Sequence, residues 1–337
     1  MSGSPDIHTP LIAVVGPTGS GKSSLALALA KHLGTEIISV DSMQFYRGMY
    51  IGTAAPTLED CHAVPHHFVR FLDPDEEITA GTYQEMARAR MGLLNEAGLC
   101  TVAAGGSGMY VSALIDGIFD GPGEDPEIRA RLYADAETLG KDHLLDRVRG
   151  VDPDYAARIT SSNDLIRVIR ALEVYEITGR PYSELHREHR ERTPSLPARQ
   201  FALHYEDRQD LYDRINQRVL QMIDEGWVAE VQQLLDDGFG PQLERLKALG
   251  FREIAAHLRG EKTLDEAIEA AQMHHRRYAK RQLTWFRADP RIHWIPAGPG
   301  TTTESQLAFL MAALAGEESD QADGESLHRF LATGARP

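Results

Sequence analysis

Gly16-Pro17-Thr18-Gly19-Ser20-Gly21-Lys22-Ser23 fits the pattern G-x-x-x-x-G-K-[ST]. An apolar run at 11–15 precedes it and an Ala- and Leu-rich segment at 25–33 follows, so it reads as the turn from a strand into a helix. That context gives the pattern its physical meaning. Glycines let the backbone approach a phosphate closely, and successive N–H groups point inward as an anion nest. The helix N-terminus adds positive partial charge. Lys22 supplies a full charge to the terminal phosphates, and the Ser23 hydroxyl is placed to ligate Mg²⁺. The chemistry is polyphosphate binding. The same donors serve a phosphate that is transferred and a diphosphate that leaves, so the loop alone does not choose between them.

Asp41 follows a second strand-like run at 36–40. In open parallel sheets ligands gather at the carboxyl ends of the strands, which puts Asp41 near the phosphate loop. Three roles are open to it: a second Mg²⁺ ligand beside Ser23, a turn cap, or a general base. Gly105-Gly106-Ser107-Gly108-Met109-Tyr110 follows a third strand end and brings the Ser107 hydroxyl to the same crevice. Farther along, Arg277, Lys280, Arg281, Thr284 and Arg287 recur at helical spacing and form one basic face, interleaved with Trp285 and Phe286. Such a face is either solvated surface or a nucleic-acid contact.

Strands at 11–15, 36–40 and 101–104 alternate with helices at 25–33 and 83–97, the second closed by Gly98. That alternation predicts an α/β fold, a parallel helix-covered sheet with a P-loop NTPase-like core. From about residue 116 the pattern turns helical, with helices at 125–139, 141–148, 153–159 and 163–178. Gly179-Arg180-Pro181 ends the last, and a polar, charged stretch runs to Pro197. A strand at 200–204, helices at 210–236 and 264–287, and a last strand at 291–295 resume the core. The expected organisation is a discontinuous core at 8–116 and 198–315, a helical insertion at 117–197 and a mobile acidic tail at 316–337.

The 337 residues, 42% hydrophobic and 25% charged, are those of a globular chain large enough to carry such an insertion. Cys61 and Cys100 are the only cysteines, and no C-x-x-C pair occurs. That leaves neither a disulfide framework nor a thiolate zinc site, and suits a reducing cytosol. The polar start MSGSPDIHTP is unlike a signal peptide. The longest apolar stretch, 101–119, is broken by four glycines and Asp116, so no membrane segment is read. The net charge of −15 leans against nucleic acid for the chain as a whole and leaves any such contact to a local basic surface.

Taken together, GPTGSGKSS (16–24), ISVDSMQFYRGMYIGTAAPT (38–57), VPHHF (64–68), AGGSGMY (104–110), RALEVYEITGRP (170–181), LKALGFREI (246–254) and AKRQLTWFR (279–287) resemble the bacterial tRNA dimethylallyltransferases, also called tRNA isopentenyltransferases. The resemblance runs from about residue 11 to about residue 295. It implies transfer of a dimethylallyl group from dimethylallyl diphosphate to N6 of adenosine 37 in tRNA, with pyrophosphate released. It implies Asp41 as the general base, Mg²⁺ at Ser23, and Arg218 as an arginine at the diphosphate. It implies tRNA contacts at Asp41, Ser42, Met43, Gln44, Ser107, Arg129, Ile166, Arg167, Val168, Ile169, Arg170, Lys247, Gly250, Phe251 and Arg252, joined by Lys280 and Arg281 of the basic face. The insertion would grip the anticodon stem-loop, and the protein is expected to act as a cytoplasmic monomer.

Several positions depart from the commoner family pattern. Ser107 stands for Thr, Phe251 for Tyr, Leu165-Ile166 for Pro-Gln, Ala55 for Lys and Tyr50 for Asp. Phe251 would keep stacking on RNA and lose a hydrogen bond. The loss of a lysine near the diphosphate bears on donor binding. His274-His275 has no cysteine partners for a zinc finger and reads as a polar helix pair. His66 and His67 are open to a ligand role, with a structural or gating role near the site the favoured reading. Three rivals share the phosphate loop: a small-molecule kinase, a nucleotide-switched RNA-binding protein, and an isopentenyltransferase acting on free nucleotides.

Overall fold

The computed structural model describes residues 9–119, 121–159, 161–192 and 195–316. The expected mobile tail, from residue 317 on, lies outside the described residues. Six strands form one parallel sheet: β1 (Leu11–Val15), β2 (Ile37–Ser39), β3 (His66–His67), β4 (Thr101–Gly105), β5 (Ala198–Tyr205) and β6 (Ile292–Ala297). Their order is β3-β2-β4-β1-β5-β6.

Central β1 is buried along its whole length. Helices cover both faces of the sheet, which is why LIAVV shows no polar alternation. Its side chains still divide by face. Leu11, Ala13 and Val15 pack with Tyr83 and Phe286, whereas Ile12 and Val14 pack with Leu25, Leu29 and Leu310. The register pairs Val15 with Gly105 on one side and Ala202 on the other. The loops leaving β1 and β4 therefore start side by side. Val40 N–H donates to the Ala104 carbonyl at 2.8 Å, which brings the exit of β2 to the same edge.

The chain divides into two compact units, one of residues up to Ile115 and from Leu196 on, the other Asp116–Ser195. In the second unit, helices Pro126–Thr138, Lys141–Val151, Pro153–Ala156, Leu165–Thr178 and Tyr182–Arg192 enclose a core of Leu132, Leu144, Val148, Val168, Ile169 and Leu172. Asp125 caps the first by accepting from the N–H groups of Glu127 and Ile128, with Pro126 at the first helical position. No helix among the described residues is long and apolar enough to cross a membrane.

Several elements differ from expectation, among them β3 and the helices Leu58–Ala63, Gly240–Leu246 and Phe251–Leu258, which have no counterpart in the sequence reading. The helix expected over 210–236 is two, Arg208–Asp224 and Trp227–Asp236, because Gly226 takes a left-handed conformation (φ 102°) between them. The charged stretch after Pro181 contains the helix Tyr182–Arg192. Arg180, ion-paired to Glu184 at 2.6 Å, braces its start, a local charge pairing that an apolar-periodicity reading does not register. A helix at Gly108–Asp116, buried along Tyr110, Val111, Leu114 and Ile115, is another element without counterpart in the sequence reading.

Candidate active site

The phosphate loop is shaped by residues far away in sequence. Gly19 has φ 76°, and a Cβ there would fall 2.7 Å from Ile215 Cγ1, so glycine is required twice over. Arg214 Nε donates to the Gly19 carbonyl at 3.2 Å, and the Tyr205 hydroxyl donates to the Ser20 carbonyl at 3.0 Å. The Thr18 N–H donates to Gln282 Oε1 at 2.8 Å. Gly16 and Gly21 also have positive φ, and Pro17 closes a turn by accepting from the Ser20 N–H at 3.3 Å.

Lys22 is buried at the start of its helix. Burial pushes its pKa down to about 8, with the Asp41 carboxylate opposing and Arg218 reinforcing the fall. Arg218 is partly buried, and its pKa too is lowered by burial against the pull of Asp41. Gly19, Gly21, Lys22, Ser23, Arg214 and Arg218 line a cavity of about 330 Å³. A second cavity of about 360 Å³ shares Arg218 with it and continues past Tyr50, Ile51, Ala54, Ala55 and Arg70. Three cations at one cleft, two of them desolvated, need an anion, and the Asp41 carboxylate balances only one charge.

Asp41 sits in an Asx turn, its Oδ1 accepting from the Met43 N–H at 3.2 Å while Gln44 N–H donates to its carbonyl. The Ser107 hydroxyl accepts from the Ser42 N–H at 3.3 Å, so the loops after β2 and β4 are tied together. Gln44 is occupied locally: its Oε1 accepts from Ser39 and its Nε2 donates to the Ala54 carbonyl. Met43 is half-buried against the core. Tyr278 reaches the same place from the long helix Leu264–Arg287. Burial and then the Asp41 charge push its pKa up to about 12, against a smaller lowering influence of Ser107 and Gln282 nearby.

The expected RNA contacts divide by environment. Lys280 and Arg281 are exposed, with Arg277, Thr284, Trp285 and Arg287, on one face of that helix, and Arg281 lies over the Tyr278 ring at 5.4 Å. Lys247 is exposed, and Ile166 is 74% exposed. Arg167 pairs with Asp164 at 3.4 Å. Val168 and Ile169 are buried in the insertion core, so their side chains pack instead of presenting to a partner. Phe251 is fully buried edge-on to Trp227, with ring centroids 5.6 Å apart. It is a core residue and does not stack on RNA. Gly250 (φ 81°) leaves room for the same Trp227 ring. Arg252 pairs with Glu244 at 2.9 Å. Arg129 and Arg170 both grip Glu173, at 2.8 and 2.6 Å. His274 and His275 both lie in the helix as expected, and His275 is buried against Trp227. His67 pairs with Glu36 at 2.6 Å, and the His66 ring hydrogen bonds with the Val64 carbonyl.

Gln282, Tyr278, Arg214 and Glu230 escaped the sequence reading. The spacing of Tyr278 and Gln282, four residues apart on the face opposite the basic one, was the available signal. Glu230 accepts from the N–H groups of Tyr50, Ile51 and Gly52 at 2.7, 2.7 and 3.0 Å, and no local pattern marks it.

Residues 44–289 match the IPP transferase family, and residues 12–73 also match the ATPase family associated with various cellular activities. The chain is 46% identical to the tRNA dimethylallyltransferase of Syntrophobacter fumaroxidans, covering 86% of this chain and 84% of that one. It is 46% identical to the tRNA dimethylallyltransferase of Geobacter sulfurreducens, covering 85% and 92%. Among solved structures it resembles the tRNA isopentenylpyrophosphate transferase of Bacillus halodurans at 36% identity and a TM-score of 0.64, covering 91% of this chain and 97% of that one. A eukaryotic dimethylallyltransferase acting on tRNA superposes with a TM-score of 0.75 at 25% identity, covering 93% and 81%. The chain therefore belongs to the IPP transferase family of enzymes.

Proposed function

We propose that this enzyme transfers a dimethylallyl group from dimethylallyl diphosphate to N6 of adenosine 37 in tRNA. The observation that carries the reading is the convergence of Lys22 and Arg218 on one cleft, with the Asp41 carboxylate acting on both. The diphosphate lies against the loop Gly16–Ser23, where N–H groups, Lys22 and Arg218 are preorganised for its charge. The bond from C1 to the bridging oxygen breaks as the N6–C1 bond forms. Asp41 accepts the N6 proton, and pyrophosphate leaves with the electron pair.

Among the described residues no group of three or more His, Cys, Asp or Glu side chains could cage a metal. A Mg²⁺ ion would instead be held by the exposed Ser23 hydroxyl and by the oxygens of the diphosphate itself, the usual preference of that ion. When bound it neutralises charge on the leaving group. The acceptor adenine leaves its stack to reach Asp41. The basic face of Leu264–Arg287 contacts RNA phosphates, and Trp285, 42% exposed, offers a stacking surface. The insertion unit contacts the anticodon stem-loop.

The test is a transfer assay with Mg²⁺ and radiolabelled dimethylallyl diphosphate. Label enters unmodified tRNA with A37 and enters neither AMP nor tRNA carrying G37. Label in AMP would move the acceptor to free nucleotides, and label in the G37 tRNA would move the target base.

A further inference from the structure

Gln282 lies 5% exposed beneath the basic face, one turn after Tyr278. Its Oε1 accepts from the Thr18 N–H at 2.8 Å and its Nε2 donates to the Gly106 carbonyl at 2.8 Å. A Cβ at Gly106 would fall 2.2 Å from that Nε2, so the glycine and the amide fit one another. Because one partner is a donor and the other an acceptor, the amide's orientation is fixed, its oxygen toward Thr18 and its nitrogen toward Gly106. Tyr278 lies near the same groups and feels the Asp41 charge, and Ser107 accepts from Ser42 beside Asp41.

We propose that Gln282 is a positioning residue for the transfer reaction: it holds the phosphate loop in its anion-binding shape and fixes it against the Gly105–Ser107 loop. The proposal rests on the reading of residues 16–23 as the donor's diphosphate site. The loop carries glycines with positive φ at 16, 19 and 21, which make it costly to order. Its remaining amides are free for phosphate only if the Pro17–Thr18 peptide is held. An amide clamp on Thr18 removes that ordering cost before the ligand arrives, which raises affinity without any contact between Gln282 and the donor.

Titration of the full chain with inorganic pyrophosphate and Mg²⁺, beside steady-state transfer kinetics, tests this. Q282M keeps the side-chain volume and removes both hydrogen bonds. Its pyrophosphate affinity falls roughly tenfold, because the ligand must now supply the ordering of the loop that the Gln282 amide otherwise supplies in advance. Donor KM rises by a similar factor while kcat stays within about threefold, the pattern of lost uniform binding. The Thr18 amide also loses protection from hydrogen exchange. A folded Q282M that binds pyrophosphate within about twofold of the parent overturns the proposal, whatever its kcat. Should Q282M fail a thermal-melt check, Q282N, too short to span both partners, carries the same readout. Failure of the underlying reading is separate: the parent protein itself would not bind pyrophosphate.

Discussion

Lys22 Nζ donates to the carbonyl of Pro17, five residues earlier in the same loop, at 3.2 Å. A buried ammonium whose hydrogen bond is to its own loop is under-compensated, which is why burial brings its pKa to about 8. Two opposite consequences follow. The folded pKa lies below the ordinary 10.5, so the folded protein releases this proton before the unfolded chain does. Stability from this group therefore rises with pH between about 8 and 10.5, and below that window the charge is a cost. Pyrophosphate needs the charged form, so its affinity falls as pH rises through about 8. K22M at pH 7 should melt higher than the parent, yet bind pyrophosphate at least roughly tenfold more weakly, with no decline through that range. Calorimetric titrations at stepped pH, with melts alongside, check both. A parent affinity flat up to pH 9.5 would remove Lys22 as the phosphate cation.

Asp41 faces cations that a diphosphate also needs. Removing its charge lowers competition for them, so D41N should bind pyrophosphate as well as the parent or better. Turnover should drop by about 10²–10⁴, the usual span for a lost general base. If Asp41 instead held Mg²⁺, D41N would need far more Mg²⁺ to bind pyrophosphate, and a magnesium titration separates the two.

The parts of this site that a reader of the sequence can see are those whose chemistry is local. Gly16 to Ser23 carry their own geometry, and Asp41 is placed by the rule that ligands sit at strand ends. Gln282 binds a residue 264 positions away and another 176 away, and nothing local marks such a partner. The resemblance implies the whole run Ile166 to Arg170, yet a helix turns its side chains through every direction. Ile166 faces out while Val168 and Ile169 face in. Phe251 fails as a stacking residue for a related reason. The Trp227 that covers it follows Gly226, and that break in a long apolar pattern is set by backbone conformation, which periodicity does not report.

Glu230 accepts from three consecutive N–H groups, on Tyr50, Ile51 and Gly52, and so shapes the wall of the second cavity. Charge-assisted bonds of this kind are individually strong. E230A should cost about 1.5–3 kcal/mol in urea unfolding, with E230Q recovering part of it, since one amide oxygen still accepts. A change under about 0.5 kcal/mol would mean that the loop finds other partners.

Glu173 has a fully buried side chain, and it accepts from Arg129, Arg170 and the Asp125 N–H. Burial alone would raise its pKa, but the hydrogen bonds from the two arginines prevail and hold it below the ordinary value. E173A removes the shared anion, while Arg129 keeps Glu124 at 2.7 Å and Arg170 keeps the Pro122 carbonyl at 2.7 Å, and should destabilise the insertion unit by about 1.5–3 kcal/mol. The folded pKa is depressed, so this support is present above the unfolded pKa and is lost as pH falls through the folded one. Arg129 and Arg170 were expected to serve RNA, and the two roles separate by measurement. If Arg129 served RNA alone, R129A would weaken tRNA binding and leave the melt of the free protein unchanged. Because it holds Glu173, R129A should lower that melt in the absence of RNA, and E173A should weaken tRNA binding by a similar factor without touching an RNA-facing side chain.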